Sequence, residues 1–150
     1  MMSGIPGSGK SYYATTHATG SDKVISRDEI RFALLDENDQ YFDKEEKVFS
    51  KWINTINEAI EDPNCKNIYL DATHLNDVSR LKTLSQLKLN KVDEIILVMV
   101  DTTLETCLER NSKRIDRKRV PDNVIKNMYK SFKPYTENEL FIGTILLREG

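Results

Sequence analysis

Apolar positions along this chain fall into two alternating patterns: short compact runs, and longer stretches of helical period. The short runs cover residues 23–26, 67–70, 94–100 and 141–147, each of strand length and each bounded by polar or turn-forming residues. Between them, apolar residues recur every three to four positions. The strongest such stretch spans residues 43–60, where Val48, Phe49, Trp52, Ile53, Ile56, Ala59 and Ile60 share one helix face. Further helices are predicted over residues 10–18, with Gly20 as a stop, and over 28–35, 78–89, 103–111 and 122–132. In the 78–89 helix, Leu81, Leu84 and Leu87 to Leu89 are expected to face inward. Strands alternating with helices predict an α/β fold, a doubly wound parallel sheet flanked by helices. Ligands of such sheets bind beyond the C-terminal ends of the strands.

Composition narrows the reading without changing it. The 150 residues carry 39% apolar and 31% charged side chains, which suits one solvated domain with its own core. A net charge of −2 excludes a uniformly basic nucleic-acid coat but leaves room for a local basic patch. Cys65 and Cys107 have neither CxxC nor zinc-ligand spacing, with His17 and His74 the only histidines. They are read as reduced thiols, hence a cytoplasmic setting. Residues 95–100, the longest apolar run, are too short to span a bilayer, so no membrane partner is expected, and the glycine-rich turn from Gly4 fits no signal peptide.

The most specific chemistry lies near the start. Gly4-Ile5-Pro6-Gly7-Ser8-Gly9-Lys10-Ser11 satisfies GxxxxGK[ST] at every fixed position and runs straight into a predicted helix. Glycines allow a tight loop whose backbone N–H groups surround phosphate, and the helix dipole adds positive potential there. Lys10 is expected at the β- and γ-phosphates of ATP and Ser11 at Mg²⁺. No NKxD guanine-reading sequence is present, and 150 residues leave no room for the extra helical domain of a motor ATPase. A compact phosphotransferase is the expectation. A P-loop ordinarily follows a central strand, yet only Met1, Met2 and Ser3 precede Gly4. The first strand is therefore read as a stub, or the chain as beginning inside a longer reading frame, with a weakly anchored sheet centre in either case.

Three further segments bear on the acceptor. In Arg27-Asp28-Glu29-Ile30-Arg31, Asp28 and Arg31 share a helix face; a carboxylate there suits a general base and an arginine suits a phosphate, although a capped surface helix with an ion pair gives the same spacing. Asp71 and Asp101 each end an apolar strand and compete for the task of ordering magnesium-bound water or orienting an arginine. His74 is read as a polar loop residue. Six basic residues, Arg110, Lys113, Arg114, Arg117, Lys118 and Arg119, crowd the loop where small P-loop kinases place a lid.

Taken together, these four segments resemble the kinase domain of the bacteriophage 5′-polynucleotide kinase family. The likeness runs through the P-loop, the RDxxR segment, Asp71 to Asn76, the Arg110-Asn111-Ser112-Lys113-Arg114 lid, Val120-Pro121 and Met128-Tyr129-Lys130-Ser131. The resemblance implies a kinase acting on the 5′-hydroxyl of an RNA or DNA strand with ATP and Mg²⁺. It implies Lys10, Asp28 and Arg114 as catalytic: Asp28 as general base and Arg114 stabilising the transition state. It implies Arg110 on the donor side, Arg31 on the acceptor's nearest phosphate, and Asp71 supporting the acceptor site by orienting Arg31. The Asp71 segment has one residue more than the family pattern, leaving Thr73 and His74 without implied roles. No DxDGT phosphatase motif occurs, so kinase activity alone is expected. Related P-loop kinases act on antibiotics, sugar nucleotides or seryl-tRNA, and such an acceptor is the alternative.

Overall fold

The computed structural model of the protein describes residues 1–133 and 143–149. Strands β1 (Met2–Ser3), β2 (Asp22–Ser26), β3 (Asn67–Asp71), β4 (Ile96–Thr102) and β5 (Gly143–Glu149) pair in parallel throughout. They form two ladders, β2–β3 and β1–β4–β5. The ladders meet as the chain leaves β1, where the Gly4 N–H donates to the Thr73 carbonyl at 2.9 Å and Ser3 Oγ donates to the His74 carbonyl at 2.7 Å. The chain leaves β1 towards β2 on one side and crosses from β3 to β4 on the other. This divergence opens a crevice at the strand ends, as expected of a doubly wound sheet.

Among the described residues, six α-helices cover the strands: α1 (Lys10–His17), α2 (Arg27–Leu34), α3 (Glu45–Glu61), α4 (Asp77–Leu84), α5 (Leu104–Ser112) and α6 (Asp122–Ser131). Strand alternation divides β4 between two cores. Leu97 and Met99 pack with Ile25, Leu70 and the α3 face of Trp52, Ile53, Ile56 and Ala59, whereas Val98 and Val100 join Met2 against Tyr13 of α1. Trp52 is wholly buried, which is worth roughly 2–3 kcal/mol on area grounds. Its Nε1–H donates to the Ile25 carbonyl at 3.0 Å, fixing α3 against β2 one residue before Ser26. Ser26 in turn caps α2 by accepting from the Glu29 N–H at 3.2 Å.

Several boundaries differ from the sequence reading, for identifiable reasons. Asn76 and Ser79 form a reciprocal capping box that sets the phase of α4. Arg80, Thr83 and Leu84 then face inward, while Leu81, one position round from Arg80, is 62% exposed. The helix ends at Leu84, and Leu87 and Leu89 reach the core from the turn that follows. Strand β4 runs two residues further than expected because Asp101 and Thr102 remain paired to Arg148 and Glu149 of β5. Phe141 and Ile142 lie outside the described residues. Cys65 and Cys107 are free thiols, as expected. Among the described residues, no helix is long and apolar enough to cross a membrane.

The short first strand is better anchored than its length suggests. His74, with the positive φ of 39°, is buried against it. The Met2 carbonyl lies 2.7 Å from its Nδ1 and can only accept, so Nδ1 carries the proton and Nε2 accepts from Thr83 Oγ1 at 3.1 Å. His74 is thus a buried structural link between β1 and α4. Burial pushes its imidazole down to about 3, well below the ordinary histidine value.

Because the unfolded chain takes up this proton near pH 6.5 and the folded chain does not, His74 contributes stability that is full above that pH. It is lost as pH falls towards about 3, by at most about 1.4 kcal/mol per pH unit. Urea unfolding midpoints should therefore drop between pH 7.5 and pH 5, and the drop should flatten in His74→Asn, a residue that accepts positive φ. Parallel pH dependences in the two proteins would remove His74 as the acid-sensitive group.

Candidate active site

The P-loop follows β1 directly. Gly7 and Gly9 have φ of 83° and 106°, and a Cβ on Gly7 would stand 2.7 Å from the Cys107 carbonyl oxygen. Both position and conformation therefore require glycine at residue 7. At Gly4 a Cβ would meet Ser8 Oγ at 2.6 Å and the Val100 carbonyl oxygen at 2.9 Å. Helix α1 opens on Gly9 with no side-chain cap and no acid in its first turn, so its N–H groups and dipole are available to an anion. Lys10 is buried, with Nζ donating to the Ile5 carbonyl at 3.1 Å. Burial pushes its ammonium below the ordinary value; the Asp71 and Asp28 carboxylates oppose that shift and Arg114 adds to it. Thr102 Oγ1 braces the loop through the Ser8 carbonyl at 2.7 Å. Arg110 Nη1 reaches the Gly7 and Ser8 carbonyls at 3.1 and 3.4 Å, gripping the backbone of the loop.

Across the crevice, the first turn of α2 and the loop before α3 assemble a second cluster. Both Arg31 Nη1 and the Tyr41 hydroxyl donate to Asp28 Oδ1, the latter at 2.6 Å. Arg31 Nη1 also meets the Tyr41 oxygen at 2.9 Å. The other arm of the Arg31 fork belongs to Glu45, with Nη2 at 2.6 and 2.9 Å from its two carboxylate oxygens. Glu45 accepts from Arg27 Nη2 as well, at 2.7 Å, while the Arg27 guanidinium lies 5.1 Å from the Phe49 ring centroid. Burial, reinforced by the Asp28 charge, raises the Tyr41 phenol far above its ordinary value, so it stays protonated and donates.

Asp71 and Ser11 meet between these clusters, Ser11 Oγ donating to Asp71 Oδ2 at 2.6 Å. Asp71 stands there because the β2–β3 register places Ser26 beside it, so β3 and the start of α2 end at the same edge. The cleft has a volume of about 80 Å³, and its walls include Lys10, Ser11, Asp28, Arg31, Asp71 and Arg114. Pro6, Tyr41, Phe42 and Met128 also line it. Arg114 is brought in by the lid, whose ends Asn111 ties together: its side-chain amide donates to the Val120 carbonyl at 2.7 Å and accepts from the Val120 N–H at 3.0 Å.

Most of the residues singled out in the sequence therefore share one cleft. Two pairings differ. Asp71 meets Ser11 rather than orienting Arg31, and the Arg31 fork is taken by Glu45, Asp28 and Tyr41 rather than presented open to an acceptor phosphate. Asp101, the competing carboxylate, stays within the sheet, 3.9 Å from Arg148. Glu45 and Tyr41 were not legible as site residues. Glu45 looks like an ordinary first-turn acid, and only Tyr41's position in a short loop after the RDxxR helix hints at its part. Hard oxygen donors such as the Asp71 carboxylate and Ser11 hydroxyl suit Mg²⁺, which binds through one or two protein oxygens plus those of phosphate and water. Among the described residues, no group of three or more His, Cys, Asp or Glu side chains is placed to hold a metal alone.

No curated protein matches the chain. Among solved structures, it is similar to an unliganded sugar kinase from Janibacter sp. HTCC2649, at 16% identity and a TM-score of 0.57, over 98% of this chain and 82% of that one. At that identity the likeness is one of fold: an α/β domain with a parallel sheet flanked by helices. The model of the AAA domain family AAA_33 matches residues 1–135, which include the P-loop, both clusters and the lid. The chain belongs to this AAA domain family.

Proposed function

We propose that the protein is an ATP-dependent kinase that transfers the γ-phosphate to the 5′-hydroxyl end of a nucleic acid strand, with Asp28 as general base. The observation that carries this reading is the state of the Asp28 carboxylate, opposite the phosphate loop in the same cleft. Arg31 and Tyr41 both donate to Oδ1, and Oδ2 carries neither. An acceptor hydroxyl donating to Oδ2 would be held with its oxygen free to attack.

In the transfer, that oxygen forms a bond to the γ-phosphorus as the bond to the β,γ-bridging oxygen breaks, and the hydroxyl proton passes to Asp28 Oδ2. ADP leaves. Lys10 holds the β- and γ-phosphate oxygens, and the α1 N-terminus and the Gly7 to Ser11 backbone surround them. Ser11 and Asp71 would hold Mg²⁺, which supplies charge neutralisation on the phosphates. Arg114 neutralises charge gathering on the transferring group, and Arg110 keeps the loop in shape. Glu45 fixes the guanidinium of Arg31, which fixes Asp28; Arg31 is thus a positioning residue first, and an acceptor-phosphate ligand only through a rearrangement that frees its fork.

A polyanionic acceptor is supported by the four-segment resemblance and by the basic lid, where Lys118 and Arg119 are exposed. The fold likeness to a sugar kinase supports a second reading, the same chemistry on a small-molecule hydroxyl. Labelled phosphate transfer from ATP to paired RNA and DNA 5′-hydroxyl oligonucleotides, beside a panel of sugars and nucleosides, separates them. Transfer to the small molecules alone would reject the nucleic-acid acceptor.

Three variants test the assignments. Lys10→Met should abolish transfer; normal turnover would show that the P-loop lysine is not at the phosphates. Asp28→Asn should lower kcat by orders of magnitude with the ATP KM nearly unchanged. A parallel loss of ATP binding would instead make Asp28 a structural or metal-side residue. Arg114→Ala should lower kcat by about 10²-fold or more, with lysine a poor substitute for the planar fork. An intact kcat would reduce the lid to a solvated face.

A further inference from the structure

Phe42 takes no part in the chemistry above, and Tyr41 takes part only through its hydroxyl. Tyr41 and Phe42 occupy the loop between α2 and α3, both line the catalytic cleft, and Phe42 is 46% exposed there. Their rings meet edge to face, with centroids 4.7 Å apart and planes at 86°. Tyr41 is fixed from two sides: its hydroxyl is bonded to Asp28, and its ring lies 4.2 Å from the Arg31 guanidinium carbon. Phe42 therefore stands one ring beyond the proposed general base and lines the same cleft. The loop holding it is braced. Lys44 Nζ ties the Leu34 carbonyl at 2.9 Å to Asp36 at 2.8 Å and Asp39 at 3.1 Å. The Asp36 and Gln40 N–H groups donate to Asp39 and Asp43 at 2.7 and 2.8 Å.

A half-exposed aromatic ring held rigidly at the mouth of a polar cleft offers an apolar face with little ordering entropy left to lose. Resting on the proposed 5′-kinase reading, we infer that Phe42, backed by Tyr41, is the platform on which the base of the acceptor's 5′-terminal nucleotide stacks. Bases of any sequence present a π-face, so this platform recognises a nucleotide end without reading its identity. It also supplies what the Asp28 and Arg31 pair lacks, a contact that separates a nucleotide-borne hydroxyl from that of a bare sugar.

The test compares two 5′-hydroxyl oligonucleotides, one intact and one whose terminal nucleotide keeps its sugar and phosphate but lacks the base. With the natural protein, the KM for the intact end should be about tenfold lower than for the abasic end. In Phe42→Ala this ratio should collapse towards one, and in Phe42→Trp it should persist. A ratio near one in the natural protein, or an unchanged ratio in Phe42→Ala, overturns the platform while transfer to both strands leaves the kinase reading standing. If Phe42→Ala weakens both strands equally, the ring contacts the sugar and the base assignment is overturned. If neither strand is phosphorylated, the kinase reading falls and the platform with it.

Discussion

The geometry of the cleft depends on the seam between β1 and the chain just beyond β3. Among the described residues, the hydrogen bonds from Gly4 to Thr73, from Ser3 to His74 and from the His74 ring to Met2 cross it. Everything on the phosphate side hangs from β1, and the proposed base and Asp71 hang from the β2–β3 ladder. A shift at this seam would separate Ser11 from Asp71 and Lys10 from Asp28. Neutral, buried His74 suits this place because it bonds at both ring nitrogens while carrying no charge into the core.

The cluster around Arg31 makes the opposite choice and buries charge. Arg31 is 4% exposed, and its desolvation is offset by Glu45 at two oxygens, by Asp28 and by Tyr41. Such a network adds little net stability over apolar packing, and losing one partner typically costs about 3–5 kcal/mol. What it gains is orientation. Arg27, stacked near Phe49 and Trp52, connects the network to the core of α3, so the position of Asp28 is set by hydrophobic packing two turns away.

Features carried by local spacing were legible in the sequence. The P-loop needs particular residues at fixed offsets, and the α3 face needs an apolar period, so both could be read from one segment. The Asp28 and Arg31 pair was visible as an i,i+3 spacing, but Glu45 lies fourteen residues from Arg31 and meets it only because α2 and α3 fold against each other. The partner of Asp71 depended on strand register, which no single segment encodes. Leu81 misled because capping by Asn76 and Ser79 set the phase of α4 ahead of its apolar content. Asp101 and Asp71 look alike as strand-ending acids; only the continuation of β4 against β5 separates them.

The Asn111 clamp on Val120 has a consequence for how the lid could change over time. With both ends of the basic segment joined by a pair of hydrogen bonds, the segment is a closed loop rooted at one point on α5. Lengthening such a loop adds only about 0.6 kcal/mol of closure entropy for each doubling. Residues 112–119 can thus gain or lose a few positions with little disturbance to the sheet, while every change alters how far their positive charges extend. The reach of this positive charge beyond the cleft is adjustable at a position where the fold is nearly indifferent to length.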